Sequence, residues 1–362
     1  MDFDLSSEQK LLADQARSLL AQHSPCARLR ELIDADALVD ERLWLQLSQM
    51  GFLSANISEA FSGLGLSEID LGVISQELGR ANAATPFFSS IVLAADAIAL
   101  AGSDAQKQRY LPGLSRGDIV GCFASSEGPG HVLGRGVIGH GGVLSGVKQP
   151  VADAGVADIA VVQCADRLAI VNLRERGVVC TRLASFDQLR PHYRLVFDHA
   201  PADFMPGAGF AERLLDRAAV QASFEAIGGA DACLEMARAY VLNRQIFGRP
   251  LASYQAIKHR LADIAVAIEL ARSNAYFAGW AAGASPEDLP MAAAAARLTA
   301  IRAFEMAARE NLQMHGGLGY TFEADCHFYY RRERMHAVIL GNRGYWADRL
   351  VTASHGREER AP

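Results

Sequence analysis

Apolar positions recur at helical spacing over the first third of the chain. Ser6-Ser7-Glu8-Gln9 has the form of a capping box, and Leu12, Ala16 and Leu19 follow on one face, which predicts a helix. Trp44, Leu45, Leu47 and Met50 predict another that ends at Gly51, and helical patterns resume over Glu68 to Arg80 and Ile91 to Ala101. Phe61-Ser62-Gly63-Leu64-Gly65-Leu66 between them reads as an interhelix glycine turn. After Gly117 the period changes. Ile119–Phe123, Val143–Val147, Ile159–Val162, Leu168–Val171 and Arg194–Phe197 are short β-rich runs with glycine or polar breaks, which predicts a small barrel or sandwich of about ninety residues. Beyond Pro206 helical spacing returns. Ile257, Leu261, Ile264 and Ile268 form one apolar face; Leu298, Ile301, Ala308 and Leu312 form another, with Glu305 and Arg309 as an i,i+4 pair on its solvent side. Alanine dominates from Ala292 to Ala308, which suits closely packed helices. The predicted class is α+β: an N-terminal helical domain over 1–113, a β domain over 114–205 and a C-terminal helical bundle over 206–362, its charged tail from Gly356 frayed.

Composition narrows the partners. The chain has 362 residues, of which 50% are hydrophobic and 21% charged, so it is globular rather than disordered. A net charge of −6 gives no general attraction to nucleic acid or an anionic membrane. The six cysteines form no CxxC pair and no cluster with histidine at metal-ligand spacing, so they read as buried, reduced thiols and no metal is expected. The acidic start Met1-Asp2-Phe3-Asp4 is unlike a signal peptide, and the apolar window from Phe87 to Ala101 is too short, and broken by Asp96, to span a bilayer. A soluble, cytoplasmic protein is expected. The ten histidines offer neither ligand spacing nor a Ser/His/Asp arrangement.

Candidate chemistry centres on Leu312-Gln313-Met314-His315-Gly316-Gly317-Leu318-Gly319-Tyr320, where a long alanine-rich helix stops. Glycine there permits positive φ and removes the Cβ that would keep a cofactor from the backbone. Alone, such a motif is a helix cap and a tight turn. Here it is accompanied by Arg244-Gln245-Ile246-Phe247-Gly248 and by Gln255 in Tyr254-Gln255-Ala256-Ile257-Lys258-His259-Arg260-Leu261-Ala262-Asp263.

Those three motifs, in that order behind a helical and a β domain, closely resemble the acyl-CoA dehydrogenase family over roughly Phe3 to Leu350. The resemblance implies an N-terminal all-α domain, a middle β-barrel or sandwich, a C-terminal four-helix bundle, and FAD as cofactor. It implies α,β-dehydrogenation of an acyl-CoA: a carboxylate removes the α-proton, a hydride leaves the β-carbon for the flavin, and electrons pass on to an electron-transferring flavoprotein. Carried over residue by residue, Arg244 meets the flavin diphosphate, Phe247 and Gln255 lie near the adenosine half, and Gln313, Gly316 and Gly317 let the cofactor lie against backbone. A guanidinium suits a pyrophosphate.

Two segments depart from the family pattern. Leu340, in Val338-Ile339-Leu340-Gly341-Asn342-Arg343, stands where the family has its glutamate base. The alternative base position at the start of the bundle falls near Ala218; Asp216 and Glu225 are the nearest carboxylates, with a structural role the plainer reading of Glu225. In the β domain, Ala124-Ser125-Ser126-Glu127-Gly128-Pro129-Gly130 replaces a Thr-Glu-Pro-x-x-Gly-Ser segment, with Ser125 or Ser126 left to supply a hydroxyl to the flavin ring, and Pro150-Val151-Ala152 replaces Trp-Ile-Thr. The half of the site that a subunit lends its neighbour is present, and the half it uses itself is eroded. That asymmetry resembles the base-less small subunits of α2β2 acyl-CoA dehydrogenases that act on bulky, steroid-derived thioesters. The leading expectation is therefore a subunit that completes a homologous partner's FAD site. The alternatives are a self-sufficient homo-oligomeric dehydrogenase with a relocated base, and a non-catalytic CoA-ester-binding or scaffold protein.

Overall fold

The computed structural model describes residues 5–165 and 167–358. Met1 to Asp4, on which the leader reading rests, and the end of the tail, residues 359–362, lie outside them. Among the described residues, six α-helices and a π-helical segment precede the strands: α1 Ser7–His23, α2 Cys26–Asp34, α3 Glu41–Gln49, α4 Glu68–Arg80, the π-helical Phe88–Ala95, α5 Asp96–Ala101 and α6 Asp104–Arg116. Eight strands follow: β1 Gly121–Ala124, β2 Ile138–His140, β3 Val143–Ala152, β4 Ile159–Gln163, β5 Arg167–Asn172, β6 Val178–Leu183, β7 His192–Pro201 and β8 Asp203–Ala208. The chain ends in α7 Phe210–Asn243, a short hairpin of β9 Gln245–Ile246 and β10 Arg249–Pro250, α8 Gln255–Ala284, α9 Leu289–His315, α10 Cys326–His336 and α11 Arg343–Glu358.

These elements divide into two compact units. One holds the described residues of Met1–Cys26, Gly72–Ala83 and Ala219–Pro362; the other holds Ala27–Leu71 and Ala84–Ala218. In the second unit, two separate four-stranded sheets run β1-β4-β5-β8 and β2-β3-β7-β6. The pairing is antiparallel except between β1 and β4. Cys122, Val137, Leu144, Val162, Val171, Leu195 and Phe197 share their core. The sheets are open rather than closed into a barrel. β6 and β8 are edge strands that the apolar pattern does not announce: β6 is largely exposed and β8 carries Pro206. The β region therefore runs on to Ala208. The helices of this unit pack on the sheets through polar anchors: the Gly121 N–H donates to Ser90 Oγ at 3.0 Å, and Gln106 Nε2 to Asp203 Oδ1 at 2.7 Å.

In the first unit, small residues set the packing. A Cβ on Gly228 would fall 1.8 Å from the Gln76 carbonyl oxygen, and one on Gly79 would fall 2.0 Å from that of Glu225. The α4–α7 crossing thus requires both glycines. Eight alanines of α9, among them Ala292, Ala296, Ala300 and Ala303, are buried as its composition predicts. The solvent-side pairing differs from the prediction. Glu305 pairs with Arg334 of α10 at 3.2 Å, and Arg309 lies 3.6 Å from Glu310. Neighbours from another helix and the next residue compete for these charges, which i,i+4 spacing alone does not foresee. None of the six cysteines forms a disulfide; four are buried, but Cys180 is exposed on β6, contrary to the reading of uniformly buried thiols. Among the described residues, no helix is long and apolar enough to cross a membrane.

Candidate functional site

The three C-terminal motifs converge on one groove. The Asn243 end of α7 runs into a two-residue turn, Phe247-Gly248, whose φ angles of 50° and 76° are both left-handed. A turn with two positive φ values matches the twist of a tight hairpin. The hairpin returns the chain so that the Leu251 N–H donates to the Arg244 carbonyl at 2.7 Å, and Tyr254 Oη donates to that of Ile246 at 3.0 Å. Phe247 holds this conformation without glycine's freedom and stands 93% exposed. Arg244 is exposed, and its guanidinium has no hydrogen-bond or ion-pair partner among the described residues. Gln255 opens α8, also exposed.

At the end of α9, Gly316 adopts φ 62° and ψ −138°, a region essentially reserved for glycine. A Cβ on Gly316 or Gly317 would meet nothing within 4 Å, so open space lies over both. His315 is held away from chemistry: its Nδ1 bonds the Asn311 carbonyl at 2.8 Å and its ring stacks on Tyr240 at 4.1 Å. Hairpin, α8 and the α9 terminus enclose a groove of about 520 Å³ with an apolar floor of Ile246, Leu251, Ile257 and Met314. Gln313 and Gly316 line it directly. Sequence reading passed over its charged end. Arg260 bonds the buried Glu310 at 2.5 Å, and Arg309 approaches the other carboxylate oxygen. The signal was there in the spacing, since Glu310 lies one helical turn before Gln313 on α9. The apolar floor and the open backbone at Gly316 suit a cofactor lying against the chain, while Arg244, Phe247 and Gln255 are exposed on the adjoining hairpin and helix start rather than in the groove's lining.

The carboxylate candidates sit elsewhere. Glu225 is 5% exposed in the interior of its unit, 3.4 Å from Arg332 Nη1 and 3.6 Å from His336 Nε2. Arg297, fully buried, donates to His336 Nδ1 at 3.0 Å, to the His336 carbonyl, and to that of Ile339 at 3.2 Å. Because arginine only donates, His336 Nδ1 accepts, which places the neutral ring's proton on Nε2, toward Glu225. Burial pushes the Arg297 guanidinium down to about 10, with Glu225 opposing the shift. This network holds the turn after α10, where Leu340 (φ 58°) and Gly341 (φ 103°) are again left-handed. Nearby, burial raises Glu333 to about 7 despite its 2.6 Å bond from Arg334. Asp216 belongs to the other unit and is 3% exposed on α7.

Ser125 and Ser126 open a loop of the sheet-bearing unit that an ion pair between buried Lys148 and half-buried Glu127 shapes. Lys148, 0% exposed, places its ammonium 2.6 Å from Glu127, 2.7 Å from the Gly134 carbonyl and 3.1 Å from that of Ser125. All three of its donors are therefore satisfied. Burial lowers Lys148 despite Glu127. For Glu127 burial pushes upward, but Lys148 and the N–H groups of Gly136 and Val137 outweigh it and hold the carboxyl below its usual range. Ser126 Oγ is turned to its own loop, accepting from the Gly128 N–H at 3.3 Å. The pair joins residues 21 apart, and no local pattern announces it.

Comparison with known proteins identifies the family. Residues 6–118 match the acyl-CoA dehydrogenase N-terminal domain, and residues 206–352 the acyl-CoA dehydrogenase C-terminal domain. The acyl-CoA dehydrogenase IpdE2 of Mycobacterium tuberculosis (strain ATCC 25618 / H37Rv) is 31% identical over 92% of this chain and 93% of its own. Among solved structures, the Tcur3481-Tcur3483 steroid ACAD G363A variant superposes with a TM-score of 0.90 at 27% identity, covering 97% of this chain and 99% of that one. The ChsE4-ChsE5 complex from Mycobacterium tuberculosis gives 0.90 at 26% identity, over 100% of both chains. The chain belongs to the acyl-CoA dehydrogenase family, whose enzymes use FAD.

Proposed function

We propose that this chain is one subunit of a heteromeric, FAD-dependent acyl-CoA dehydrogenase acting on a bulky, steroid-derived CoA thioester, and that it completes the flavin site of a homologous partner. One observation carries the reading. An open groove lined by Gln313 and Gly316 stands beside the Arg244 hairpin in a chain whose left-handed turn at Leu340-Gly341 has no carboxylate. When bound, the flavin supplies the acceptor for the hydride that leaves the thioester β-carbon. This chain's part is to hold it: Arg244 on the diphosphate, Phe247 and Gln255 at the adenosine half, Gln313, Gly316 and Gly317 along its length. The α-proton needs a base. Glu225 is committed to Arg332 and His336 in the interior, so the partner's carboxylate takes that role. The two-protein composition of the ChsE4-ChsE5 complex and the steroid substrate in the name of the Tcur3481-Tcur3483 enzyme support heteromer and substrate class. Reoxidation by an electron-transferring flavoprotein, and a cytoplasmic location, complete the proposal.

The test is the visible spectrum and mass of the purified chain, alone and co-expressed with a dehydrogenase-like gene from its own genome. Yellow protein only on co-expression, with about one flavin per pair, is the expected result. A yellow homo-oligomer that bleaches with an acyl-CoA sinks it.

A further inference from the structure

The first unit holds a second cavity, of about 400 Å³, among α1, α4, α7 and α8; it shares no lining residue with the groove at Gly316. Its wall carries two carboxylates, Glu77 and Asp231, and four cations, Lys10, Arg17, Arg80 and Arg272. Ion pairing accounts for both carboxylates. Arg17 donates to the two oxygens of buried Glu77 at 2.8 and 3.0 Å. Arg272 reaches both oxygens of Asp231 at 2.9 and 3.0 Å, and Arg80 Nη2 joins it at 3.1 Å. Every carboxylate oxygen in the wall therefore already accepts.

The donors are not used up. Arg17 Nη1 and Arg272 Nη1 make no hydrogen bond, and the Lys10 ammonium and the Tyr276 hydroxyl have no partner among the described residues. Burial raises the Tyr276 phenol, which keeps it a donor at neutral pH. Glu235 and Glu269 pair with Arg80 and Arg272 from outside the wall, where both are largely exposed and screened by water. Four cations against two carboxylates leave the wall itself at +2, in a chain whose net charge is −6. A phosphate monoester, dianionic with three terminal oxygens, matches that charge and those donors better than a singly charged carboxylate does. Leu5, Ala13 and Val73 give the cavity an apolar side, with room for a small organic group beyond the phosphate. Lys10 and Arg17 belong to α1, whereas Arg272 and Tyr276 belong to α8.

We propose that this cavity is a binding site for a small phosphate monoester, whose phosphate accepts from Lys10, Arg17, Arg272 and Tyr276 and so clasps α1 onto α8. The assignment is independent of the dehydrogenase reading, since the cavity holds none of the residues on which that reading rests.

Phenyl phosphate, inorganic phosphate and benzoate, titrated by calorimetry into the full-length chain in the assembly it forms, test it. Phenyl phosphate should bind most tightly and raise the melting temperature, because a ligand of the folded state stabilises it. Lys10→Ala should weaken phenyl phosphate about ten-fold, and Tyr276→Phe about two- to ten-fold. Neither residue takes part in the ion pairs, so both variants should melt with wild type when no ligand is present. Arg244→Ala should leave phenyl phosphate binding unchanged, which separates this cavity from the groove at Gly316. Wild-type affinity in Lys10→Ala, benzoate bound as tightly as phenyl phosphate, or loss of binding in Arg244→Ala overturns the assignment and leaves the dehydrogenase reading standing.

Discussion

Two left-handed turns of the C-terminal unit invite comparison. Phe247-Gly248, at φ 50° and 76°, and Leu340-Gly341, at φ 58° and 103°, each place a bulky apolar residue where glycine is favoured. The first turn is held by backbone bonds and leaves Arg244 and Phe247 exposed, next to Ile246, which lines the groove. The second is held from within by Arg297, His336 and Glu225, and carries no charge at its tip. On the proposed reading, a backbone conformation has outlasted the side-chain chemistry it serves elsewhere in the family, because buried polar groups independently fix it. Function at such a turn is decided by side chains, not by fold.

The sharpest way to break the comparison is to remove the internal support. Glu225→Leu leaves Arg332 and Arg297 buried without their carboxylate, and breaking a buried pair this way costs about 3–5 kcal/mol. The denaturation midpoint should fall accordingly, while flavin content of whatever remains folded is unchanged. Intact stability with lost turnover would instead make Glu225 a base.

The support also has a pH signature. Burial raises Glu333 to about 7 from an ordinary 4.5, so the folded chain binds that proton more tightly than the unfolded one. Stability attributable to this group is complete below pH 4.5 and is lost as pH rises toward 7, by about 3 kcal/mol at roughly 1.4 kcal/mol per unit. Glu333→Gln should be the more stable protein at pH 8 and indistinguishable from wild type at pH 4.5. Urea titrations at the two values check it, and equal midpoints at pH 8 would refute it.

At the first turn the expected losses fall on the cofactor. Arg244→Ala removes one charged contact and should weaken flavin retention by the co-purified complex about ten- to hundred-fold, with melting of the cofactor-free protein unchanged. Gly316→Ala forces a side chain into a backbone region costing about 1–3 kcal/mol, so it should lower both flavin retention and stability. Filtration of the yellow complex and calorimetric melting separate these two outcomes.

How much of this was legible in the sequence follows from the range of each interaction. Helices with strong periodicity were readable: the span predicted from Glu68 to Arg80 is α4 itself, and Ser6 and Gln9 do form a reciprocal cap. The five apolar β runs fall on β1, β3, β4, β5 and β7. Edge strands β2, β6 and β8 were not readable, because they bury too little on one face to alternate. Of the residues singled out from local motifs, Gln313 and Gly316 line the groove, whereas the pairing of Arg260, Arg309 and Glu310, which meet only when α8 packs on α9, was not foreseen. Lys148 is the extreme case, since nothing local announces that its ammonium is buried against Glu127.

The smallest predicted effect decides most about the second turn. Leu340→Glu restores a carboxylate on a backbone already held in place, and if the missing base were the chain's sole departure, the variant would gain turnover by itself. The β domain argues otherwise. By the resemblance, Pro150-Val151-Ala152 or its neighbours replace the family's Trp-Ile-Thr, and the Ser126 hydroxyl is engaged by the Gly128 N–H within its own loop. Proton abstraction also requires the thioester carbonyl to be polarised as charge develops, which one added carboxylate does not supply. Leu340→Glu purified without a partner should therefore leave flavin content and acyl-CoA bleaching at wild-type levels. Bleaching that appears with Leu340→Glu alone would show that only the base had been lost, and would turn the proposed lending subunit back into a dormant enzyme of its own.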